Sequence, residues 1–388
     1  MKNSYDVIVV GAGPAGSAAA YFLAQAGVDV LLLERHREIG IPLMCAEGVG
    51  KEGLIKFFAP EDKWIAASLQ GAIFRSDDNR SFKINFKDVG YILERKVFDR
   101  DLAAKAAEAG AAVAVGVQAR GVENNTLIVR ENSQTKKIVF RLLIAADGVE
   151  SRVGRWFGLN TGLDRTEIHS CAQLLLGNID TTPDYVEFIV GTDTAPGGYA
   201  WIFPKGKNTA NVGIGISAHK AVHSPAFYLE RYITLRFPAA ARLEKMVGAV
   251  PAKILKNFST DRCLLVGDAA RVADPISGAG IVNGIHSGFL AARVAAEALK
   301  KGNTSKKFLR RYDNLLKKEI VNELQFRKRV RDIYVKLDKN DFKLLMDFGL
   351  KTLADKEMTD IDLKAIVFEI IKSSPQLAKL AGRMLIKR

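Results

Sequence analysis

Cysteine is scarce in this chain. Its 388 residues hold three, Cys45, Cys171 and Cys263, an odd and scattered set. That excludes a disulfide framework and points to a reducing compartment. It also excludes a four-cysteine iron–sulfur cluster. No cysteine–histidine spacing suits zinc, and no metal site is expected. No apolar run is long enough to span a bilayer. The first strand-like run begins at residue 6, so no leader peptide is expected. Internal repeats and low-complexity tracts are missing too. Acidic residues are the remaining shortage: 43 Asp and Glu face 57 Lys and Arg, a net charge of +14. A basic excess attracts nucleic acid, anionic lipid or acidic substrates. No nucleic-acid-binding signature accompanies it, so a membrane surface or a phosphorylated substrate is the better match. The expectation is a cytoplasmic protein whose membrane contact, if any, is peripheral and on the inner face.

What is present starts with size. A chain this long buries a large core and normally holds two or more domains. Residues 6–10 (DVIVV) read as a short buried strand. Gly11-Ala12-Gly13-Pro14-Ala15-Gly16 follows at once, then a small-residue helix over 17–26, a second strand over 30–33, and Glu34. Strand, glycine turn, helix, strand and acid form a dinucleotide-binding βαβ unit. Gly11 permits the tight turn, Gly13 lets a pyrophosphate approach the backbone, and Gly16 lets the helix pack on the sheet. The helix N-terminus offers N–H groups and a positive dipole end to the phosphates. Glu34 can accept ribose hydroxyls, and an acid there favours FAD or NAD over NADP.

Further along, residues 35–58 read as a loop and short helix around Cys45. That thiol is either buried in a loop or set beside a cofactor ring. Residues 71–75 and 81–86 alternate like a hairpin of a second, antiparallel sheet. Arg95 precedes an alanine-rich helix over 97–109 and is either a surface ion-pair member or a phosphate or ribityl contact. A strand over 113–119 is expected to enter the first sheet. A small meander follows over 127–129 and 137–140, then a buried strand over 142–146 ending at Asp147-Gly148. Residues 172–177, 185–190, 200–203 and 210–216 read as strands of the second sheet. Tyr199, Trp201 and Phe203 alternate and so share one face, as core or as pocket. Residues 218–247 are expected to be mostly helical. Residues 263–270 read as a buried strand ending in Gly267-Asp268, and a glycine-rich turn over 274–281 feeds a helix over 282–300, a second anion site. The tail, 301–388, is helical and basic, with apolar residues at helical spacing (Leu324, Val330, Ile333, Tyr334, Leu337; then Ile361, Leu363, Ile366, Val367, Ile370, Ile371) and the ending Leu385-Ile386-Lys387-Arg388. It either packs on the body with a solvated face or lies on lipid.

The second loop discriminates between cofactors. FAD is long: its adenosine half needs the first loop, and its ribityl chain and ring need other groups. Asp268 can accept ribityl hydroxyls, and the N–H groups of Gly280 and Ile281 can face the pyrimidine edge of the ring. Together the glycine loop, Asp147-Gly148 and Gly267-Asp268 resemble the flavoproteins related to para-hydroxybenzoate hydroxylase. More narrowly, Pro42-x-x-Cys45-Ala46-Glu47-Gly48 and Pro196-x-x-Tyr199-x-Trp201-x-Phe203-Pro204 resemble the geranylgeranyl reductases, and among them the archaeal digeranylgeranylglycerophospholipid reductases. The resemblance covers about residues 1–300, and the tail carries no matching motif.

The resemblance implies an α/β and α+β fold: a Rossmann-type FAD-binding domain (1–70, 91–160 and 255–300), an antiparallel-sheet substrate domain (71–90 and 161–254) and a C-terminal helical region (301–388). It implies that Ala15, Glu34, Cys45, Ala46, Gly48, Arg95, Ala119, Asp268, Gly280 and Ile281 touch FAD. Tyr199, Trp201 and Phe203 would line a lipid tunnel, with Cys45, Tyr199 and Trp201 nearest the chemistry. The implied reaction saturates isolated double bonds of a geranylgeranyl chain for archaeal membrane lipids, with electrons from a donor such as ferredoxin, a reduced nicotinamide or a reduced deazaflavin. Two other readings use the same scaffold: an aromatic hydroxylase, which needs a polar phenol pocket, and an electron-transfer flavoprotein that reduces quinone.

Overall fold

The computed structural model of the protein describes residues 1–358, 363–373 and 378. The chain divides into two compact units, one comprising Met1–Leu43, Glu94–Asp164 and Val250–Phe326, the other Met44–Leu93, Arg165–Ala249 and Arg327–Arg388. Ile361 and the terminal Leu385-Ile386-Lys387-Arg388 lie outside the described residues.

The first unit is built on a sheet whose centre is parallel. Ser4–Val10 runs between Val30–Leu33 and Gln134–Ala145. Ala112–Ala114 extends the sheet beyond Val30–Leu33, and Cys263–Leu265 extends it on the other side. These strands are continuous apolar runs, as strands covered on both faces must be. Val7, Ile8, Val9, Leu31, Leu32, Leu142 and Leu143 are all buried in one core with residues of the helices Pro14–Gln25, Arg95–Glu108 and Ile281–Lys300. Small residues let two of these helices touch backbone to backbone: a Cβ added at Gly288 would meet the Ala15 carbonyl oxygen at 2.4 Å.

Three expectations for this unit change. The strand foreseen over 113–119 is two strands, Ala112–Ala114 in the parallel sheet and Val117–Glu123 in an antiparallel meander with Thr126–Glu131. Gly116, at φ +68°, turns the chain between them. The pieces expected over 137–140 and 142–146 form one strand, Gln134–Ala145, which pairs with the meander at its start and with Ser4–Val10 along most of its length. Asp268 is not on a strand end: the strand stops at Leu265, and Asp268 lies in the 3-10 turn Gly267–Ala270.

The second unit carries a nine-stranded sheet that is largely antiparallel. Ile168–Gly177, Thr209–Ser217, Tyr199–Gly206 and Tyr185–Val190 are neighbours in that order. Ile65–Ser76 joins Tyr185–Val190 in parallel and hairpins to Ser81–Leu93, where the alternation in sequence placed a hairpin. Alternation sorts the side chains. Ala172, Leu174, Ala200, Ile202, Val212 and Ile214 turn to one face and pack with Leu229 and Ile233 of the helix Pro225–Arg236. The opposite face holds the aromatic residues.

Residues 218–247 are not mostly helical. The helix ends at Arg236, one residue before the Phe237-Pro238 step, and Ala241–Pro251 is a strand. Proline disfavours helix for the residue before it, and the sheet edge offers partners to the chain beyond. The tail is helical over Asn322–Tyr334, Lys339–Thr352 and Leu363–Ser373, but Glu357–Met358 adds a short parallel strand beside Asn85 and Phe86.

Candidate active site

The first unit contributes two helix N-termini. The helix Pro14–Gln25 begins at Gly13, and the helix Ile281–Lys300 begins at Gly280; neither start is capped by a side chain. Elsewhere Ser224, Ser305 and Asp338 do supply that cap. An uncapped start leaves N–H groups for an anion. Gly11, at φ +107°, and Gly16 are held by the fold itself: a Cβ on Gly16 would lie 1.9 Å from the Gly11 carbonyl oxygen, and one on Gly11 would lie 2.3 Å from that of Ala146. A Cβ on Gly13 would meet nothing within 4 Å. Its lack of a side chain serves open space, which is where a pyrophosphate would come.

Glu34 ends the second strand and closes the turn. Its carboxylate accepts from the Ala12 N–H at 3.1 Å and the His36 N–H at 2.9 Å, and lies 2.7 Å from His36 Nδ1. Arg95 is the first residue of its helix and nearly buried, where it pairs through two hydrogen bonds with Asp99 (2.6 and 2.7 Å). Neither reading made from sequence anticipated a buried pair; a carboxylate one helical turn later was its only signal. Ala119 is half-buried beside a bulge in the strand Val117–Glu123.

At the other helix, Asp268 Oδ1 would be 3.4 Å from a Cβ on Gly280. Burial raises the Asp268 carboxyl above the usual range, against the opposing pull of Arg271 and Arg95. The turn is braced by Arg271, which is buried, adopts φ +58° and donates to the carbonyl oxygens of Val149 (2.7 Å), Asp268 (2.8 Å) and Thr161 (2.5 Å). Asp147 accepts the Val153 N–H at 2.9 Å in the first turn of the helix Arg152–Trp156. The donor set therefore fits a dinucleotide: two open helix starts, a glycine facing empty space, and two carboxylates able to take hydroxyl groups.

The second unit builds the other half of the predicted set. Trp201 and Phe203 are buried, Tyr199 is half-buried, and all three lie in one cluster with Phe188, Phe74, Ala46 and Cys171. The rings meet edge to face: Phe188 with Tyr199 at 5.5 Å, Phe188 with Phe203 at 5.7 Å, Tyr199 with Trp201 at 5.9 Å. Room for Trp201 comes from Gly213 on the next strand, where a Cβ would lie 2.3 Å from the indole. The cysteine loop and the aromatic stripe, more than a hundred and fifty residues apart in the chain, belong to the same face. Phe203 lies against Gly48, 3.0 Å from where its Cβ would stand. Gln173 Nε2 donates to the Cys45 carbonyl oxygen at 3.2 Å, and Gln173 Oε1 accepts from Trp201 Nε1 at 2.7 Å.

Gln173, Lys205 and Asn211 escaped notice in the sequence. Each is a polar residue in an apolar strand, and that mismatch was the available signal. Lys205 and Asn211 both donate to Glu47, at 2.7 and 2.6 Å. Cys171 faces the stripe as a protonated thiol, pushed up to about 12 by burial and by Cys45. Two residues before it, His169 accepts from Arg331 Nε at 3.0 Å; burial, with Arg331 and His219, lowers its imidazole to about 3.

The predicted cofactor set is thus divided between the units. Gly11, Gly13, Ala15, Gly16, Glu34, Arg95, Ala119, Asp268, Gly280 and Ile281 belong to the first, and Cys45, Ala46 and Gly48 to the second with Tyr199, Trp201 and Phe203. Among the described residues, no helix is long and apolar enough to cross a membrane, and no group of three metal-ligating side chains occurs.

Residues 167–250 match the family model of the geranylgeranyl reductase catalytic domain, and residues 9–46 match that of the NAD(P)-binding Rossmann-like domain. The chain is 34% identical to a geranylgeranyl bacteriochlorophyll reductase-like protein from Thermoplasma acidophilum, whose crystal structure superposes with a TM-score of 0.91 over 99% of this chain and 100% of that one. The digeranylgeranylglycerophospholipid reductase of Methanosarcina acetivorans is 39% identical over 96% of this chain and 95% of its own. That of Methanocella arvoryzae is 41% identical over 98% of each. Identity sustained at that level from end to end makes this chain a member of the digeranylgeranylglycerophospholipid reductase family.

Proposed function

We propose that the protein is an FAD-dependent reductase that saturates the isolated double bonds of geranylgeranyl chains in archaeal glycerophospholipids. The observation that carries this reading is the apolar sheet face to which the cysteine loop and the aromatic stripe both belong. A polyprenyl chain offers no polar group along its length, so its site must be built from rings and alkyl groups. Tyr199, Trp201 and Phe203 supply that surface, and they exclude water from the reacting alkene.

We assign the first unit as the FAD-binding domain. Gly13 and the start of the helix Pro14–Gln25 would take the pyrophosphate, Glu34 the ribose, Asp268 the ribityl hydroxyls, and the N–H groups of Gly280 and Ile281 the pyrimidine edge. A flavin held there would supply the hydride for one alkene carbon, which has no neighbouring carbonyl to absorb charge. The other carbon needs a proton. Cys45, Cys171 and Tyr199 are protic side chains at the aromatic face, and Cys45 and Tyr199 are the ones assigned to that delivery. Trp201 holds the chain in line by its ring, itself anchored through Gln173.

Peripheral membrane contact is part of the reading. In the helix Pro225–Arg236, Phe227, Arg231 and Leu235 share a face, and Phe227 and Leu235 are exposed. In the strand Ala241–Pro251, Leu243, Lys245 and Val247 alternate outward, and both apolar members are exposed. Apolar and basic groups side by side suit an anionic lipid surface. Ferredoxin, a reduced nicotinamide or a reduced deazaflavin is the electron donor in this scheme.

The decisive experiment reduces the purified, flavin-loaded protein with dithionite and adds digeranylgeranylglycerol phosphate ester lipid. A gain of one pair of hydrogens per double bond, read by mass spectrometry, is expected. Unchanged lipid with fully reduced, bound flavin overturns the reading.

A further inference from the structure

We propose that Lys205 is a positioning residue: through the buried Glu47 carboxylate it fixes the 45–48 turn against the Trp201–Phe203 face. The inference deepens the reductase reading and rests on it.

Glu47 is in an unfavourable state twice over. Its backbone adopts φ +76°, and its charged side chain is 2% exposed. A non-glycine residue in that region is strained and persists only where its surroundings over-determine it. A buried carboxylate needs a partner. The surroundings here form a closed circuit. Lys205 Nζ donates to Glu47 Oε2 at 2.7 Å and to the Leu93 carbonyl oxygen at 2.9 Å. The Leu93 N–H donates in turn to the Glu47 carbonyl oxygen at 2.9 Å. Asn211 Nδ2 adds bonds to Glu47 Oε2 at 2.6 Å and to the Ala46 carbonyl oxygen at 3.4 Å. The Lys205 side chain is only 8% exposed.

A buried ion pair is seldom the most stabilising way to fill a space; an apolar pair of similar volume does as well or better. Its specific contribution is geometry, and the geometry at stake is on the page. The turn touches the stripe at Gly48 through Phe203 and at Ala46 through the aromatic cluster. Its Cys45 carbonyl is held by the same Gln173 that holds Trp201. Strand register shifts between Pro204 and Gly206, a bulge that re-aims Lys205 just past the last ring of the stripe. One strand therefore carries both the lining of the chain's path and the cation that anchors the loop above it. With Gln173 and Asn211 from the two other strands, Cys45, Ala46 and Glu47 are each bonded to the sheet, and Gly48 pairs with Ile92 under the Phe203 ring.

The test uses the flavin-loaded protein. Lys205→Met keeps the length of the side chain and leaves Glu47 alone. Flavin content is expected to stay, while kcat for lipid reduction falls about tenfold or more with KM little changed, as a displaced active-site group would produce. Alkylation of Cys45 by N-ethylmaleimide, read site by site by mass spectrometry, accelerates. Glu47→Gln combined with Lys205→Met removes both charges and is expected to restore most of kcat. Wild-type kcat and Cys45 labelling in Lys205→Met overturn the proposal. So does a double variant no better than the single one, and so does failure of both variants to fold, which would make the pair a stability element. If the wild-type protein reduces no lipid, the reductase reading fails by itself, and Cys45 labelling still decides whether the pair positions the turn.

Discussion

On the proposed reading, the two units hold their ligands with different materials. The first would work with backbone: glycines, helix starts and strand ends, whose N–H groups and open spaces would do the binding. The second works with side chains: a face of rings, tied down by buried Gln173, Lys205 and Asn211. A backbone site is made wherever a short stretch folds, so its parts are neighbours in the chain. A side-chain face is assembled from strands far apart in sequence, and its order depends on polar ties that have no value outside the folded sheet.

The contrast can be broken most forcefully at Gly16. A Cβ there would overlap the Gly11 carbonyl, and neither partner can move without undoing the turn. Gly16→Ala is expected to destabilise the protein by ~2–3 kcal/mol and to abolish flavin binding, measured by denaturant unfolding and by flavin content. Stability within error of wild type would mean that the turn is not the rigid element described.

Gly213→Ala attacks the other unit. The new methyl displaces the Trp201 indole, with a cost of ~1–3 kcal/mol from overpacking. Lipid reduction is expected to collapse while flavin content persists, and tryptophan fluorescence should shift. Equal loss of flavin and of lipid reduction would deny the division of labour between the units.

Gly13→Ala separates binding from folding. Its Cβ would enter empty space in the protein alone, so thermal stability without flavin should be unchanged. Flavin affinity should fall about tenfold, equivalent to ~1.4 kcal/mol, because the methyl occupies the approach of the pyrophosphate. A titration with unaltered affinity would remove Gly13 from the cradle.

At neutral pH the smallest effect is that of His169. Burial first, then Arg331 and His219, lower its imidazole from 6.5 to about 3, so it is neutral in the folded protein and charged in the unfolded one below pH 6.5. Its contribution to stability is therefore complete above pH 6.5 and is lost as pH falls toward 3. His169→Gln, which still offers Arg331 Nε an acceptor, should flatten part of the acid limb of a stability–pH curve. An identical limb in the variant would show that His169 takes up no extra proton on unfolding.

Legibility followed the same divide. The βαβ unit, the acid at Glu34 and the glycine-fed second helix could be read from residue order, because turn chemistry and helix starts are local. The hairpin of the second sheet and the shared face of Tyr199, Trp201 and Phe203 followed from alternation alone. The helical expectation over 218–247 failed because strand pairing at a sheet edge overrode local preference. Asp99, Arg271, Gln173 and Lys205 were invisible for a common reason: a buried polar residue is explained only by its partner, and the partners of most of them lie a hundred or so residues away.

By itself, the sequence determined what is settled by neighbours in the chain: a nucleotide turn, an acid at its strand end, a second helix start with bare N–H groups, and a strand with rings on one side. Hydrogen bonds and sterics within a few residues decide such features, and nothing distant can supply them. Only the tertiary structure decided that the 45–48 turn belongs to the ring-bearing face, and that a buried lysine–glutamate pair anchors it there. Cross-strand register and the desolvation of charge exist only after distant strands have paired.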